Sequence, residues 1–181
     1  MSHPSRVSRP AIACMVEGAL CVALAVVLAK LDLFQLPQGG SVDLELVPLL
    51  LFAWRWGARR GIGVGALSGV VRILLGAHVY HPVQAVLDYP LAFACTGLAG
   101  LMPRRAVGRA VGTALACACQ LACHVASGAI FFAQYAPEGQ GPLMYSLIYN
   151  GSIIVPKYVL STIVAWILWK ALRRALPSRE A

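Results

Sequence analysis

Charge is what this sequence has least of. Asp, Glu, Lys and Arg make up 12% of its 181 residues, where a soluble domain carries about a quarter. Set against 59% hydrophobic residues and a mean hydropathy of +0.73, that deficit excludes a water-soluble globule and points to an all-α integral membrane protein. Catalytic signatures are missing as well. There is no P-loop, no HExxH, no GxSxG and no nucleotide-binding glycine pattern; the GQG and GIGVG runs read as loop and packing glycines. The chain is therefore expected to be no enzyme, to hold no ATPase and to carry no cofactor of its own. It has no internal repeat, unlike larger transporters built from duplicated halves.

Cysteine is present but in the wrong places for a framework. Cys14, Cys21, Cys95, Cys117, Cys119 and Cys123 all fall inside apolar stretches and read as small packing residues. Cys119 and Cys123 share a helix face beside a histidine, but a metal site needs more convergent ligands, and no disulfide is expected.

The apolar residues collect into six membrane segments, at about Ala11–Leu31, Leu44–Trp56, Gly61–Val79, Pro82–Met102, Val107–Phe132 and Leu143–Leu172. They predict one bundle of six transmembrane helices over 11–172, between a short N-terminal segment, 1–10, and a basic tail, 173–181. The first run follows Arg6 and Arg9 like a signal peptide, but its length and the apolar runs after it mark a retained helix. The second is short for a bilayer of about 30 Å. Either it is a tilted helix whose preceding LPQGGSVDLEL dips inward, or that stretch is an exposed loop.

Basic residues gather at alternate segment ends: Arg6 and Arg9; Arg55, Arg59 and Arg60; Arg104, Arg105 and Arg109; Lys170, Arg173, Arg174 and Arg179. The other loops carry Asp32, Asp43, Glu45 and Glu138. This positive-inside pattern places both termini in the cytoplasm and leaves no charge excess for nucleic acid. All four tryptophans read as an interfacial belt on that side. Gly61, Gly65 and Gly69 recur every fourth residue, and Ala19–Ala23 repeats the spacing, which lets helices approach closely.

Against this background Asp88, in HPVQAVLDYPLAF, is conspicuous, because a carboxylate inside a membrane helix costs about 2.5–3.5 kcal/mol. Gln84 lies one turn before it and Tyr89 directly after. An ionised Asp88 suits an organic cation or an aminopyrimidine; an ion pair with Arg72 or Lys157 is the other use for it. Gln120, His124, Gly128 and Phe132 descend one face of the fifth helix, with Gly128 opening room for a ring. Tyr145, Ser146, Tyr149 and Asn150 open the last helix and offer aromatic faces and hydrogen bonds. Glu17 lies near the other end, suited to neutralise a basic residue or meet a partner.

These residues sit in LPQGGSVDLELVPLLLFAWRWGARRG, HPVQAVLDYPLAF, HVASGAIFFAQYAPEG and YSLIYN. In that order they resemble the thiamine-specific substrate-binding subunits (S components) of energy-coupling factor transporters, the ThiT/YuaJ family, from about Ala11 to Leu172. The resemblance implies vitamin B1 uptake through a prokaryotic plasma membrane, with a transmembrane coupling subunit and two ATP-using cytoplasmic subunits as partners. It places ligand contacts on Asp88, Tyr89, His124, Gly128, Phe132, Tyr145 and Asn150, beside Gln84. It places the coupling face on Ala19 and Ala23, and closing loops around Gln38–Ser41 and Pro137–Gly139. Gln120 replaces a basic residue of relatives, and Arg72 stands where a neutral one is common. A stand-alone thiamine transporter driven by protons or sodium is the alternative.

Overall fold

The computed structural model describes residues 9–36 and 40–175. Most of the 1–10 and 173–181 segments, with Gln38 of the first loop, lie outside the described residues. Six helical rods make up most of the described residues. They are α1 (Arg9–Leu28), α2 (Leu46–Trp56), α3 (Ala58–Leu74), α4 (residues 82–100), α5 (Ala106–Phe131) and α6 (Pro142–Ala175). Two short antiparallel strands, β1 (Phe34–Gln35) and β2 (Ser41–Val42), pair in the loop after α1. The helices α1, α5 and α6 are long and apolar enough to cross a membrane. Their outward faces are hydrophobic: Met15 is 70% exposed, Leu20 64% and Ile163 55%. That is the surface a lipid solvent selects.

The short α2 is the centre of the bundle. Nine of its eleven residues are buried, and Leu46, Leu50, Ala53 and Trp54 pack with Phe93, Ala116, Tyr158 and Ala165 from α4, α5 and α6. A rise of about 16 Å suffices for a helix enclosed on all sides. Burial also corrects the tryptophan reading. Trp54 is 2% exposed, donates to Thr113 Oγ1 at 3.2 Å and meets Trp166 and Trp169 edge-on. It is a core residue; its neighbour Arg55 made it look interfacial.

Gly57, with φ +83°, turns α2 into α3 in one residue, because only glycine adopts that conformation without strain. The spaced glycines of α3 then meet α4 backbone to backbone. An added Cβ would strike the Phe93 carbonyl at Gly65, the Tyr89–Pro90 peptide at Gly69 and the Gly61–Ile62 backbone at Gly97. Gly97→Ala is expected to force these helices apart and cost about 1–3 kcal/mol, read as a lower melting temperature in detergent.

The local chemistry of α4 places the site. His81 caps it, its Nδ1 accepting from the Val83 amide at 3.1 Å, and Pro82 takes the first helical position, where no amide is needed. Pro90 then lacks the amide that would continue the ladder. Over Leu87–Leu91 the helix relaxes into a π turn, which carries Asp88 and Tyr89.

Candidate functional site

At the end of the bundle opposite the α2–α3 and α4–α5 connections lies a cavity of about 540 Å³. All eight residues expected as ligand contacts line it: Gln84, Asp88, Tyr89, His124, Gly128, Phe132, Tyr145 and Asn150. The half-buried Asp88 accepts from Gln84 Nε2 at 2.7 Å and Ser127 Oγ at 2.8 Å on one oxygen. Its other oxygen lies 3.1 Å from His124 Nδ1. An ionised carboxylate only accepts, so Nδ1 carries the hydrogen and Nε2 is the nitrogen left to other partners. Gln84 is oriented in turn by the Tyr80 amide, which donates to its Oε1 at 3.0 Å. Asp88 is thus pinned by neutral or switchable donors, without a permanent cation.

Arg72 and Lys157 are engaged elsewhere, so neither pairs with Asp88. Lys157 Nζ donates to Asp43 Oδ2 at 3.0 Å and to Glu45, and Glu45 also holds Arg72. Asp43 and Glu45 are 0% and 2% exposed, so of the two readings of LPQGGSVDLEL the inward dip is the one the fold takes, and these two acids are interior. Two carboxylates against two cations cancel. Arg72 also lies 5.4 Å over the Phe93 ring. Asp88 is therefore the net charge offered to the cavity when His124 is neutral.

Aromatic rings supply the remaining walls. Tyr80 meets Phe132 edge-on at 5.4 Å, and Phe132 stacks near Tyr135 at 6.3 Å. Tyr145 stacks with Tyr149 at 5.9 Å, so the start of α6 presents two parallel phenols. Tyr89 donates its hydroxyl to the His78 carbonyl at 3.0 Å, tying the π turn to the loop before α4. None of the four tryptophans lines the cavity.

Gly128 works differently from the expected opening. A Cβ there would run into Ser146 Oγ and come within 3.1 Å of Asn150 Nδ2. The missing side chain lets α6 close against α5, where Ser146 Oγ donates to the Val125 carbonyl at 2.9 Å and Asn150 Nδ2 to the His124 carbonyl at 3.3 Å. Gln120 is 2% exposed and accepts from Tyr158 at 2.7 Å and Thr96 at 3.2 Å. Ser127 went unread although it lies three residues after His124, a spacing that shares a helix face.

The remaining expected residues also find places. Ala19 and Ala23 are exposed on α1, while Ala25 faces inward. Glu17 neutralises Arg55 at 2.9 Å and accepts from Trp56 Nε1 at 2.7 Å. Gly40 and Ser41 reach the cavity wall, and the Gly40 amide donates to the Tyr149 hydroxyl at 3.4 Å. Gly139 has φ +83° in the α5–α6 loop. No disulfide joins the cysteines among the described residues, and the Cys95 and Cys123 sulfurs lie 3.9 Å apart.

Known proteins share this architecture. The family described as Thiamine transporter protein (Thia_YuaJ) matches residues 15–176. Thiamine transporter ThiT of Bacillus subtilis is 35% identical over 92% of this chain and 95% of its own. ThiT of Lacticaseibacillus paracasei is 27% identical over 85% of each. Among solved structures, ThiT from Listeria monocytogenes superposes with a TM-score of 0.81 at 24% identity, covering 90% of this chain and 96% of that one. The S component of a bacterial ECF transporter does so at 0.63 and 17% identity, covering 91% and 98%; these two likenesses speak to the fold. The family match over nearly the whole length, together with the Bacillus relative, shows that the chain belongs to the Thia_YuaJ thiamine transporter family, as a non-enzymatic multi-pass protein of the prokaryotic plasma membrane.

Proposed function

We propose that this chain captures thiamine in the cavity around Asp88, as the substrate-binding subunit of an ATP-driven energy-coupling factor transporter. The observation that carries the reading is a carboxylate held ready by Gln84, Ser127 and His124, inside a wall of aromatic rings whose other charges cancel. Thiamine joins a thiazolium cation to an aminopyrimidine. A carboxylate takes the aminopyrimidine through charge-assisted hydrogen bonds. Phe132, Tyr145 and Tyr149 suit flat rings, and π faces attract the thiazolium charge by about 0.5–2 kcal/mol each. The pairing of Arg72 with Glu45 removes the repulsion a free guanidinium would exert on a cation.

The arginine-rich end is the cytoplasmic face on this reading, since positive charge is retained there, and the cavity opens outside. The β1–β2 loop and the Pro137–Gly139 turn close over the ligand. Ala19 and Ala23 receive the coupling subunit, and two cytoplasmic ATPases drive release inward.

Isothermal titration of the detergent-purified chain with thiamine tests the capture step; no heat from a well-folded sample would overturn it. Uptake in cells without any coupling module, abolished by a protonophore, would replace ATP coupling with an ion gradient. Ala23→Trp, which puts a bulky ring on the exposed face of α1, is expected to abolish uptake while leaving thiamine affinity within about twofold, because substitutions remote from a site rarely exceed about 0.5 kcal/mol. Paired binding and uptake assays check it.

A further inference from the structure

On the lipid-facing side of the bundle, α5 and α6 form a second seam, none of whose lining residues borders the cavity. There the helices leave a groove of about 710 Å³, floored by Ala110, Ala114 and Ala118 and walled by Val159 and Ile163. It runs to Leu121, a rise of about 16 Å along α5, or half the hydrocarbon thickness of about 30 Å. That is the depth of one lipid leaflet. Three hydroxyls border the groove, and each is already engaged. Thr113 accepts from Trp54, Tyr158 donates to Gln120 and Thr162 donates to the Tyr158 carbonyl. The groove offers hydrocarbon contact and no polar recognition.

Past the end of the groove marked by Ala110 and Ile167, the two helices carry Arg109 and Arg173. The Arg109 guanidinium stacks 4.4 Å from the Trp169 ring centroid. Its Nε is buried with no hydrogen-bond partner, and Arg104 and Arg173 lie within electrostatic reach. Among the described residues no carboxylate pairs with Arg109. Helix α1, which carries the proposed coupling face, packs on α2 and α3, so the α5–α6 seam is a separate surface.

We propose that this seam is a binding site for an anionic glycerophospholipid, with one acyl chain in the groove and the phosphate against Arg109 and Arg173. Basic pockets between membrane helices select such headgroups. A zwitterionic lipid would bring its ammonium among the arginines and lose most of the attraction.

Native mass spectrometry of the full chain, incubated with phosphatidylglycerol or phosphatidylcholine of the same chains, tests this. Wild type is expected to retain one phosphatidylglycerol and at least about fivefold less phosphatidylcholine. Arg109→Gln and Arg173→Gln should each lower phosphatidylglycerol retention by about fivefold, one arginine's contribution near a charged surface. Arg173 is exposed, so its variant reports on charge even where loss of the Arg109–Trp169 stack unfolds the other. Ala118→Trp, which fills the groove, should remove the adduct. Thiamine titration of each variant confirms the fold. Equal retention of the two lipids, or undiminished phosphatidylglycerol binding in Arg173→Gln, would overturn the proposal.

Discussion

Lys157→Met is expected to destabilise the protein by about 3–5 kcal/mol, the usual result of removing one partner from a buried ion pair. The Lys157 side chain is 8% exposed, against 0% for Asp43 and 3% for Glu45. Methionine fills much of the same volume, so packing is largely kept and charge is what changes. Two carboxylates would remain in the interior with Arg72 as their single cation. Relief comes by protonating a carboxylate or by withdrawing the loop before α2 from the bundle. The second route matters for function, because that loop continues into Gly40 and Ser41 at the cavity wall. Lys157→Met should therefore lower both the melting temperature and the thiamine affinity. Combining it with Asp43→Asn removes one of the stranded charges and should recover part of both losses. A single variant that melts like wild type would mean the four charges contribute nothing net.

How readily each part of this protein can be read from its sequence depends on whether its partner is local. The six helices follow from apolar runs, and the glycine spacing in α3 gave a close contact that the α3–α4 interface realises. Asp88 stood out because a charge in an apolar run has few explanations, and its neighbour Gln84 is one turn away. Asp43 and Glu45 did not, because LPQGGSVDLEL reads equally as an inward dip or an exposed loop, and the contact of Asp43 with Lys157 lies 114 residues distant. No period or spacing encodes such a pair. Gly128 shows a subtler limit: a glycine among cavity residues signals close approach, but the sequence leaves open whether ligand or helix does the approaching. In the fold Ser146 takes that space. Trp54 was misplaced for a related reason, since its depth is set by α5 and α6 wrapping over α2.

Asp88→Asn is expected to weaken thiamine binding by at least tenfold. A hydrogen bond to a charged group contributes about 1.5–3 kcal/mol, which corresponds to a loss of roughly 10- to 150-fold. Asparagine keeps the shape of the side chain, so the effect isolates charge and donor pattern. The pattern itself opposes the change. Donors face both oxygens, His124 Nδ1 on one side and Gln84 with Ser127 on the other. The new amide nitrogen must point either at the Gln84 amide donor or at His124 Nδ1, which can accept it only by changing tautomer. The cavity would also lose the charge that balances the thiazolium. Calorimetry reads the outcome better than tryptophan quenching, since no tryptophan borders the cavity. Melting without ligand separates the two roles of the residue. A variant as stable as wild type but weak in binding makes Asp88 the ligand's anchor. One that binds thiamine unchanged makes it a structural link between α4 and α5, and the cation must then be held by the aromatic rings alone. Asp88→Glu keeps the charge and reaches one methylene further, so it should retain more affinity than asparagine while shifting the pyrimidine away from the π turn.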